Sequence, residues 1–538
     1  MYLHSPEHLG ARPGGRRRSI LTAFAVAGLV AVLAVGSAWH PQVASAARSS
    51  ITILGASAAS FDPAEQSDAG SAQVVSQVFE SLTSIDVSLK VEPALAASWE
   101  TKNGGKTVVF HLRNNLTFSD GSALTATDVV ASWMRVLDPS AGSQLAGLLD
   151  DVAGARAYRE GSGSASAVGV KAVGSGDVEV TLVSPAADFP SIASSPTLAV
   201  VPSNIDAKPS VLLAGTFVGS GTYVVSDLSD TETTLTANRH YWAGTPAITT
   251  VHLLSDIGGK SPVSEFEAGN LDYTPISLYD AAWITYDGNL GPQLRIEPSP
   301  SVSYYGFNTA KAPFDNVHVR RAFALGIDWR RLVALQANPL ESAATGMVPV
   351  GVPNHSDTDY GPKFDLAKAK TELAAAGFPN GAGFPKITLT TTGGAMDAGV
   401  IRQLHDNLGI DIGYQTMDWP TYNSRLLGDA PAMWSMGWVA DYPGANDFLG
   451  ILLGTGATNN FGKWTNADFD AATSQALSAS DATAMQAAFD KAQSIVADQV
   501  PVIPTDYGAG YALAAKGLLG AAPNGQGMVR YAGLAWSN

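Results

Sequence analysis

The chain contains no cysteine, and this absence limits how a protein of its size can be held together. Disulfide bonds, thiolate metal sites and a cysteine nucleophile are all excluded. Lipid attachment through an N-terminal cysteine is excluded as well. Stability must therefore come from buried apolar side chains, and 538 residues, of which 46% are hydrophobic, are enough for more than one packed unit.

Residues 1–46 predict an export signal. Three arginines, Arg16 to Arg18, precede an uncharged run from Ser19 to Trp39, and Ala44 and Ala46 form a small-residue cleavage motif. Cleavage there would place the mature protein in the periplasm or at the cell surface. The alternative is an uncleaved N-terminal helix, because the run approaches the ~20 apolar residues that span a bilayer.

Charge and motifs exclude several function classes. The net charge of −16 and the lack of a Lys/Arg cluster after residue 20 argue against a nucleic-acid partner. The segment Asn103–Thr107 resembles a phosphate-binding loop, but Glu100 stands where that motif needs glycine, so a hairpin turn is predicted. Neither H-E-x-x-H nor G-x-S-x-G occurs, and no histidines after the predicted signal pair at metal-binding spacing. The sequence thus predicts no cofactor, no metal and no catalytic residue.

Strand-like and helix-like patterns are mixed throughout the mature part, which predicts an α/β fold. Thr125 and Asp128 have the spacing of a capping box before a helix. Other predicted elements are a strand at 51–55, a hairpin within 221–242, a strand followed by a proline turn and one long helix over 301–335, and two helices within 465–500.

The segment "WVADYPGANDFLG", Trp438 to Gly450, places an acid between large aromatics. Pro443 and Gly444 would break a helix or strand, so Asp441 is predicted to lie on a loop. It would be either an ordinary turn acid or a charged anchor in a pocket with apolar walls. Tyr304 and Tyr305 form a second aromatic group, for which core packing is the alternative to lining a cleft.

Five ordered segments resemble one protein family. They are "FDPAEQSDAGSAQVVSQVFESLTSIDVSLKVEPALAASWE", "TVVFHLRNNLTFSDGSALTATDVVASWMRVLDP", "LTANRHYWAGTPAITTVHL", "YYGFNTAKAPFDNVHVRRAFALGID" and "GWVADYPGANDFL". They are similar to family-5 extracellular solute-binding proteins, the oligopeptide- and dipeptide-binding proteins of ABC importers. The segments span the mature chain almost end to end.

The resemblance implies a two-lobed periplasmic-binding-protein fold of type II, a Venus flytrap, with an extra domain inserted in the first lobe. Lobe I would comprise 47–300 and 508–538, with the insertion at about 90–210, and lobe II would comprise 301–507. The lobes would close over the ligand. The protein would be a monomeric receptor rather than an enzyme, and would deliver short peptides to a membrane permease driven by an ATPase.

The resemblance also assigns site residues. Asp441 would pair with the free α-amino group of the ligand, since a buried ammonium group is costly unless it is paired. Trp438 would line a side-chain pocket, and the backbone of Gly437 and Val439 would pair with the peptide as an added strand. The remaining ligand-binding residues would be Ser67, Asp68, Ala69, Tyr304, Tyr305, Asn308 and Tyr442.

The chain departs from the pattern of the peptide-binding members at three places. Leu145 stands where they often carry a tyrosine, 275–277 is Pro-Ile-Ser instead of Tyr-Asn-Asn, and Arg425 is about one residue from a useful position for the ligand carboxylate. A sugar, an opine or a metal chelate is therefore the alternative ligand. The alternatives from other classes are a secreted hydrolase and a signalling receptor anchored by 19–39.

Overall fold

The computed structural model describes residues 48–537 except 57, 59, 67, 206–217, 337–341, 458, 480 and 524–527. The predicted export signal and Ser67 lie outside the described residues. Ala47 to Asn538 form one compact unit. Within the described part of the chain, no helix is long and apolar enough to cross a membrane.

Strands occur throughout this unit. They are β1 (Ser50–Leu54), β2 (Thr83–Ile85), β3 (Val91–Pro93), β4 (Ala96–Lys102), β5 (Thr107–Leu112), β6 (Val170–Val173), β7 (Asp177–Thr181), β8 (Tyr223–Leu228), β9 (Glu232–Ala237), β10 (Thr250–Leu254), β11 (Tyr273–Pro275), β12 (Leu294–Phe307), β13 (Ser342–Ala343), β14 (Thr388–Thr391), β15 (Gly413–Thr416), β16 (Met433–Val439), β17 (Val502–Ala514), β18 (Leu518–Leu519) and β19 (Ala535–Trp536).

Helices lie between the strands. They are α1 (Ala69–Val78), α2 (Ala126–Leu137), α3 (Ala155–Arg159), α4 (Phe189–Ile192), α5 (Pro262–Glu267), α6 (Leu278–Ile284), α7 (Val317–Gly326), α8 (Trp329–Leu335), α9 (Leu366–Ala375), α10 (Asp397–Gln403), α11 (Trp419–Asp429), α12 (Ala445–Phe448), α13 (Gly450–Leu453), α14 (Ala467–Leu477) and α15 (Ala482–Gln499).

An eleven-stranded sheet has the order β15-β14-β16-β12-β17-β11-β1-β10-β9-β8, with β13 also paired to β17. β12 and β17 are antiparallel along most of their length and join its two halves, but their register shifts between Pro298 and Val302. Proline cannot donate to a strand ladder, so Pro298 and Pro300 account for the irregular pairing at this level. The two halves of the sheet are thus connected by β12 and β17, whose pairing is irregular between Pro298 and Val302.

Each half of the sheet has its own core. Ile51, Tyr223 and Val251 belong to one cluster of buried residues, whereas Phe307 and Leu389 belong to another. A separate four-stranded sheet of order β4-β5-β7-β6 packs on α2 around a third core. The large aromatics of this third core, which contact one another edge to face or tilted, are Phe110, Trp133 and Phe189.

Several local predictions are confirmed. The first strand is β1, the hairpin is β8 with β9, and the two helices near the C-terminus are α14 and α15. The capping box forms as well, because the backbone N–H of Thr125 donates to Asp128 Oδ2 at 2.8 Å at the start of α2. These elements depend on local patterns, and such patterns can be recognised in the sequence.

The prediction of one long helix after Pro313 is wrong. The segment forms α7 and α8, which are separated by Ile327 in extended conformation. Asp328 caps the second helix by accepting a hydrogen bond from the backbone N–H of Arg331 at 3.1 Å. An aspartate cap competes with continuation of the preceding helix, and this local bond explains the break.

Candidate functional site

Asp441 lies on the short loop between β16 and α12, as the sequence predicts. The loop is held at both ends. The backbone N–H of Ala440 donates to Pro300 O at 2.9 Å, and Ser191 Oγ donates to Pro443 O at 3.2 Å. Tyr442 is buried in the core of the four-stranded sheet. The loop therefore bridges β12 of the large sheet and α4, which packs in the core of the four-stranded sheet.

A cavity of about 880 Å³ opens beside this loop. Asp441 is exposed toward it, and the surrounding protein still removes enough water to raise the pKa of its carboxyl. Other residues that line the cavity include Leu145, Leu148, Asp150, Asp151, Arg156, Arg159, Glu160, Ile192, Tyr442, Asp447 and Asn459. The cavity is large enough for a small organic ligand.

Asp447 is a second carboxylate at the same end of the cavity, and its side chain is 0% exposed. Its Oδ2 atom accepts hydrogen bonds from Trp438 Nε1 at 2.7 Å and from the backbone N–H of Asp441 at 3.3 Å. Its Oδ1 atom has no hydrogen-bond partner among the described residues. Burial, with the nearby charge of Asp441, raises the pKa of Asp447 well above its usual range.

Asp188 extends this acidic group behind the wall of the cavity. Tyr442 donates its hydroxyl hydrogen to Asp188 Oδ2 at 2.5 Å, although the two residues are far apart in sequence. Burial is the main reason why the pKa of Asp188 rises to about 6, and the charge of Asp151 adds to it. Tyr442 opposes the rise because its hydrogen bond favours the charged carboxylate.

The arginines that line the cavity do not balance these acids. Arg159 forms a bidentate pair with Asp150 at 2.6 and 2.7 Å, and Arg156 lies 3.3 Å from Asp150 and 3.6 Å from Glu160. Two arginines and two acids thus neutralise one another. The other acidic residues that line the cavity are Asp151, Asp441 and Asp447, and this acidic surface favours a cationic group in a ligand.

The outer edge of β16 leads to Asp441. Its inner edge pairs with β12, and β14 pairs with its outer edge at Met433 and Trp434. Tyr422 covers the next position, since its hydroxyl donates to Ser435 O at 2.6 Å and accepts from Ser435 N at 3.2 Å. Backbone groups alternate between the two edges of a strand, so those of Gly437 and Val439 also point outward. Val439 is 59% exposed.

A second cavity, of about 330 Å³, lies beside the same strand and is lined by Tyr304, Tyr305 and Gly437. Both tyrosines are almost fully buried and belong to the core clusters as well. The Tyr305 hydroxyl donates to Asp397 Oδ1 at 2.6 Å. The other aromatic and methionine side chains at this cavity are Met396, Trp419, Tyr422 and Met436.

Three other residues from the predicted site have structural contacts. Asn308 is buried, and its Nδ2 donates to Ala430 O at 2.8 Å. Asp68 caps α1 by accepting from Ser71 N at 2.8 Å, and Ala69 is the first residue of that helix. None of these three lines the two cavities described above.

The structure also shows where the residues that depart from the pattern of the peptide-binding proteins lie. Leu145 lines the cavity of Asp441 and adds apolar surface where a tyrosine was expected. Pro275 pairs with Ala512 in the large sheet, and Ser277 caps α6. Arg425 is exposed on α11 and lines neither cavity.

The sequence analysis did not single out Asp151, Asp188 or Asp447. Asp447 could have been found, because it follows Asp441 by six residues within the same quoted segment. Asp151 and Asp188 have no recognisable motif around them. They approach the site only because the four-stranded sheet and the Asp441 loop pack together.

The fold and the site together define a two-lobed α/β binding protein of the periplasmic type II architecture. Residues 90–460 match the family described as "Bacterial extracellular solute-binding proteins, family 5 Middle". This match covers more than half of the chain, and the chain belongs to that family.

Curated relatives are similar over most of their length. The chain is 32% identical over 464 residues to a probable deoxycholate-binding periplasmic protein, YgiS, of Escherichia coli (strain K12), covering 83% of this chain and 85% of that protein. It is 27% identical over 465 residues to the oligopeptide-binding protein OppA of Bacillus subtilis (strain 168), with the same coverage of 83% and 85%.

Solved structures have the same fold. The unliganded open form of the periplasmic murein tripeptide binding protein MppA gives a TM-score of 0.80 at 24% identity, covering 91% of this chain and 97% of that one. Haemophilus influenzae OppA in complex with the peptide RPPGFSPFR gives a TM-score of 0.70 at 23% identity, covering 91% and 99%.

Proposed function

We propose that this solute-binding protein captures short peptides with a free α-amino group and that Asp441 pairs with that group. The observation that carries the proposal is the outward backbone edge at Gly437 and Val439, which ends at Asp441 beside an acidic cavity. An extended peptide on this edge would gain main-chain hydrogen bonds without sequence selection. Its ammonium group would then lie next to the carboxylate.

The two cavities would receive different parts of the peptide. Asp441 and Tyr442 line the cavity for the amino end, whereas Tyr304, Tyr305 and Gly437 line the aromatic cavity. Trp438 would contribute the face of its indole, which is half-buried next to Asp447. Asp68, Ala69 and Asn308 would act through the backbone around them rather than by direct contact.

The lobe boundaries are part of the proposal. Lobe I would comprise 47–300 and 508–538, with an inserted subdomain at about 90–210, and lobe II would comprise 301–507. The division of the sheet supports this, because β1 and β8–β11 lie on one side of the β12–β17 pair and β14–β16 lie on the other. The small sheet, from β4 to β7, falls inside the proposed insertion.

The protein would act outside the cytoplasm as a monomer and would pass its ligand to an ABC permease and its ATPase. It would have no catalytic role of its own, in contrast to the alternative of a secreted hydrolase. Export would depend on residues 1–46, either cleaved or kept as an anchor. The family and the proposed signal support these statements, and an intact-mass measurement of the exported protein would test the cleavage.

A non-peptide solute is the second candidate. It is favoured by the 32% identity to a protein named for deoxycholate binding and by the apolar surface of Leu145 and Ile192 in the cavity. Deoxycholate is itself an anion, however, and the acidic lining would repel its carboxylate. A sugar, an opine or a metal chelate has no specific support from the cavity.

A thermal-shift experiment on the purified protein separates these candidates. One sample receives a pool of di- to pentapeptides, the second receives the same pool after N-acetylation, and the third receives deoxycholate. A ligand at about 100 times its Kd stabilises a protein by ~2.7 kcal/mol, which gives a measurable rise in Tm. We expect a rise only with the free peptides. A rise with deoxycholate alone would favour the second candidate.

A further inference from the structure

Asp447 has poor surroundings for a buried carboxylate anion. Its side chain is 0% exposed, both of its hydrogen bonds reach the same oxygen, and Oδ1 has no hydrogen-bond partner among the described residues. No lysine, arginine or histidine of the described residues forms an ion pair with Asp447 or with Asp188. A buried carboxyl group without a cation is far less costly as the neutral acid than as the anion.

The groups that face Asp447 from neighbouring elements do not stabilise its anion over the neutral acid. Asp441 is on the preceding loop, Trp438 is on β16, and Asp188 is in the segment before α4. The charge of Asp151 raises the pKa of Asp188 in turn, and Tyr442 donates its hydroxyl hydrogen to Asp188. All the ionisable groups in this set are acids, and acids at short distance from one another cannot all ionise easily.

We propose that Asp447 carries a proton in the ligand-free protein and releases it when an ammonium group of the ligand binds Asp441, so that capture is coupled to pH. This inference rests on the proposed function, since it needs a ligand with a free amine. The Asp447 O–H bond breaks and its proton goes to solvent. The ligand keeps all three protons of its ammonium group, and its positive charge compensates the second carboxylate charge.

Asp447 is thus a positioning residue that acts through Asp441 and Trp438. It fixes the indole of Trp438 and the backbone N–H of Asp441 with its Oδ2 atom. An asparagine side chain at this position would retain an oxygen that accepts both hydrogen bonds, but it could not ionise. The Asp447→Asn variant therefore removes the proton and keeps the contacts.

The direction of the effect follows from linkage. Binding of a cation lowers the pKa of Asp447, so the complex binds fewer protons than the free protein, and affinity rises with pH. The steepest dependence expected for one released proton is about tenfold in Kd per pH unit. Acidification would then release the ligand.

The test is isothermal titration of trialanine into the full protein. Titrations would be run between about pH 5 and about pH 7, where the α-amino group, with a pKa of about 8, remains protonated. Each pH needs two buffers of different ionisation enthalpy, so that the difference in heat counts the released protons. N-acetyl-trialanine is the matched ligand control. Asp468→Asn is the matched variant, because Asp468 is exposed on α14 and lines neither cavity.

We expect the wild type and Asp468→Asn to release up to one proton and to bind more tightly as pH rises. Asp447→Asn should release almost none and keep a nearly constant Kd. Equal proton release by Asp447→Asn and the wild type would overturn the inference, as would a wild type that binds trialanine without proton release. The second outcome needs no variant, so it decides even if Asp447→Asn fails to fold. If no free peptide binds at any pH, the proposed function fails instead.

Discussion

Two buried aspartates of this protein have opposite surroundings. Asp397 is 2% exposed and has hydrogen-bond donors on both oxygens, whereas Asp447 is 0% exposed and, among the described residues, has donors on one oxygen only. Burial alone therefore does not decide what a carboxylate does. The fold supplies hydrogen-bond donors to both oxygens of Asp397, whereas Oδ1 of Asp447 has no such donor among the described residues. The donors to Asp397 are Tyr305 Oη, Thr391 Oγ1, Gly394 N and Tyr414 Oη at 2.6 to 2.9 Å.

The largest expected effect concerns the neighbour of Asp447. Asp441→Asn should weaken binding of free-amine peptides by ~2–5 kcal/mol, because the ligand ammonium group would be buried without a charged partner. Titration calorimetry of free and N-acetylated peptides measures the loss. The acetylated peptides should bind both proteins equally weakly, and unchanged affinity of the free peptides would remove Asp441 from the site.

The structural role of Asp397 is tested by Asp397→Ala. This change leaves the buried hydroxyls of Tyr305 and Thr391 without their acceptor, so it should lower the free energy of unfolding by about 3–4 kcal/mol. Urea unfolding measures the loss. Asp447→Asn serves as the matched variant and should change stability by less than about 1 kcal/mol. Similar losses for the two variants would mean that both aspartates are structural.

The pH dependence of stability measures the free-energy cost of ionising Asp188 in the folded protein. Its pKa of about 6 in the folded protein lies above the ordinary value of 3.8, so the folded state binds more protons between these values. Stability due to this group is therefore present at low pH and is lost as pH rises toward 6. Asp188→Asn should remove that loss and, relative to the wild type, gain roughly 2–3 kcal/mol by pH 7.

Denaturant unfolding of both proteins from about pH 4 to about pH 7 gives this difference directly. In the Asp188→Asn variant, Tyr442 can still donate its hydroxyl hydrogen to the amide oxygen of the new side chain, so the packing should not change. A difference that stays constant across this range would show that Asp188 is ionised throughout, and it would weaken the contrast with Asp397.

The smallest effect is expected at Trp438. Trp438→Phe removes the indole N–H that donates to Asp447 Oδ2 and keeps most of the aromatic surface. The loss of one hydrogen bond to this carboxyl should weaken peptide binding by about 1 kcal/mol and favour the protonated acid further. Trp464→Phe is the control, since Trp464 is buried in the core and the indole that donates to Asp447 is that of Trp438. Equal effects of both changes would assign Trp438 to packing alone.

Much of the local structure was accessible from sequence patterns. The capping box at Thr125, the turn at Pro443 and Gly444, and the alternation in the β8–β9 hairpin each involve residues close in the chain. The break at Asp328 was missed although its capping signal is equally local. The apolar pattern continues from α7 into α8, and that continuity outweighed the single aspartate.

The family and the two-lobed α/β fold also followed from the sequence, because ordered motifs over most of a chain specify one architecture. The placement of the predicted site residues could not follow in the same way. Tyr304 and Tyr305 are core residues and cavity residues at once, and Asn308 bonds to backbone. Spacing along a strand predicts which face of the sheet a side chain lies on. It does not predict which residues or cavity that face packs against.

The sequence by itself determined many of the local elements, the fold class and the position of Asp441 on a loop. Only the tertiary structure brought Asp151 and Asp188 toward Asp441 and Asp447, across more than 250 residues of chain. The physical reason is that hydrogen bonds within turns and helices are set by near neighbours. The electrostatic environment of a carboxylate is set instead by every charge and every buried surface that packing brings within a few ångströms.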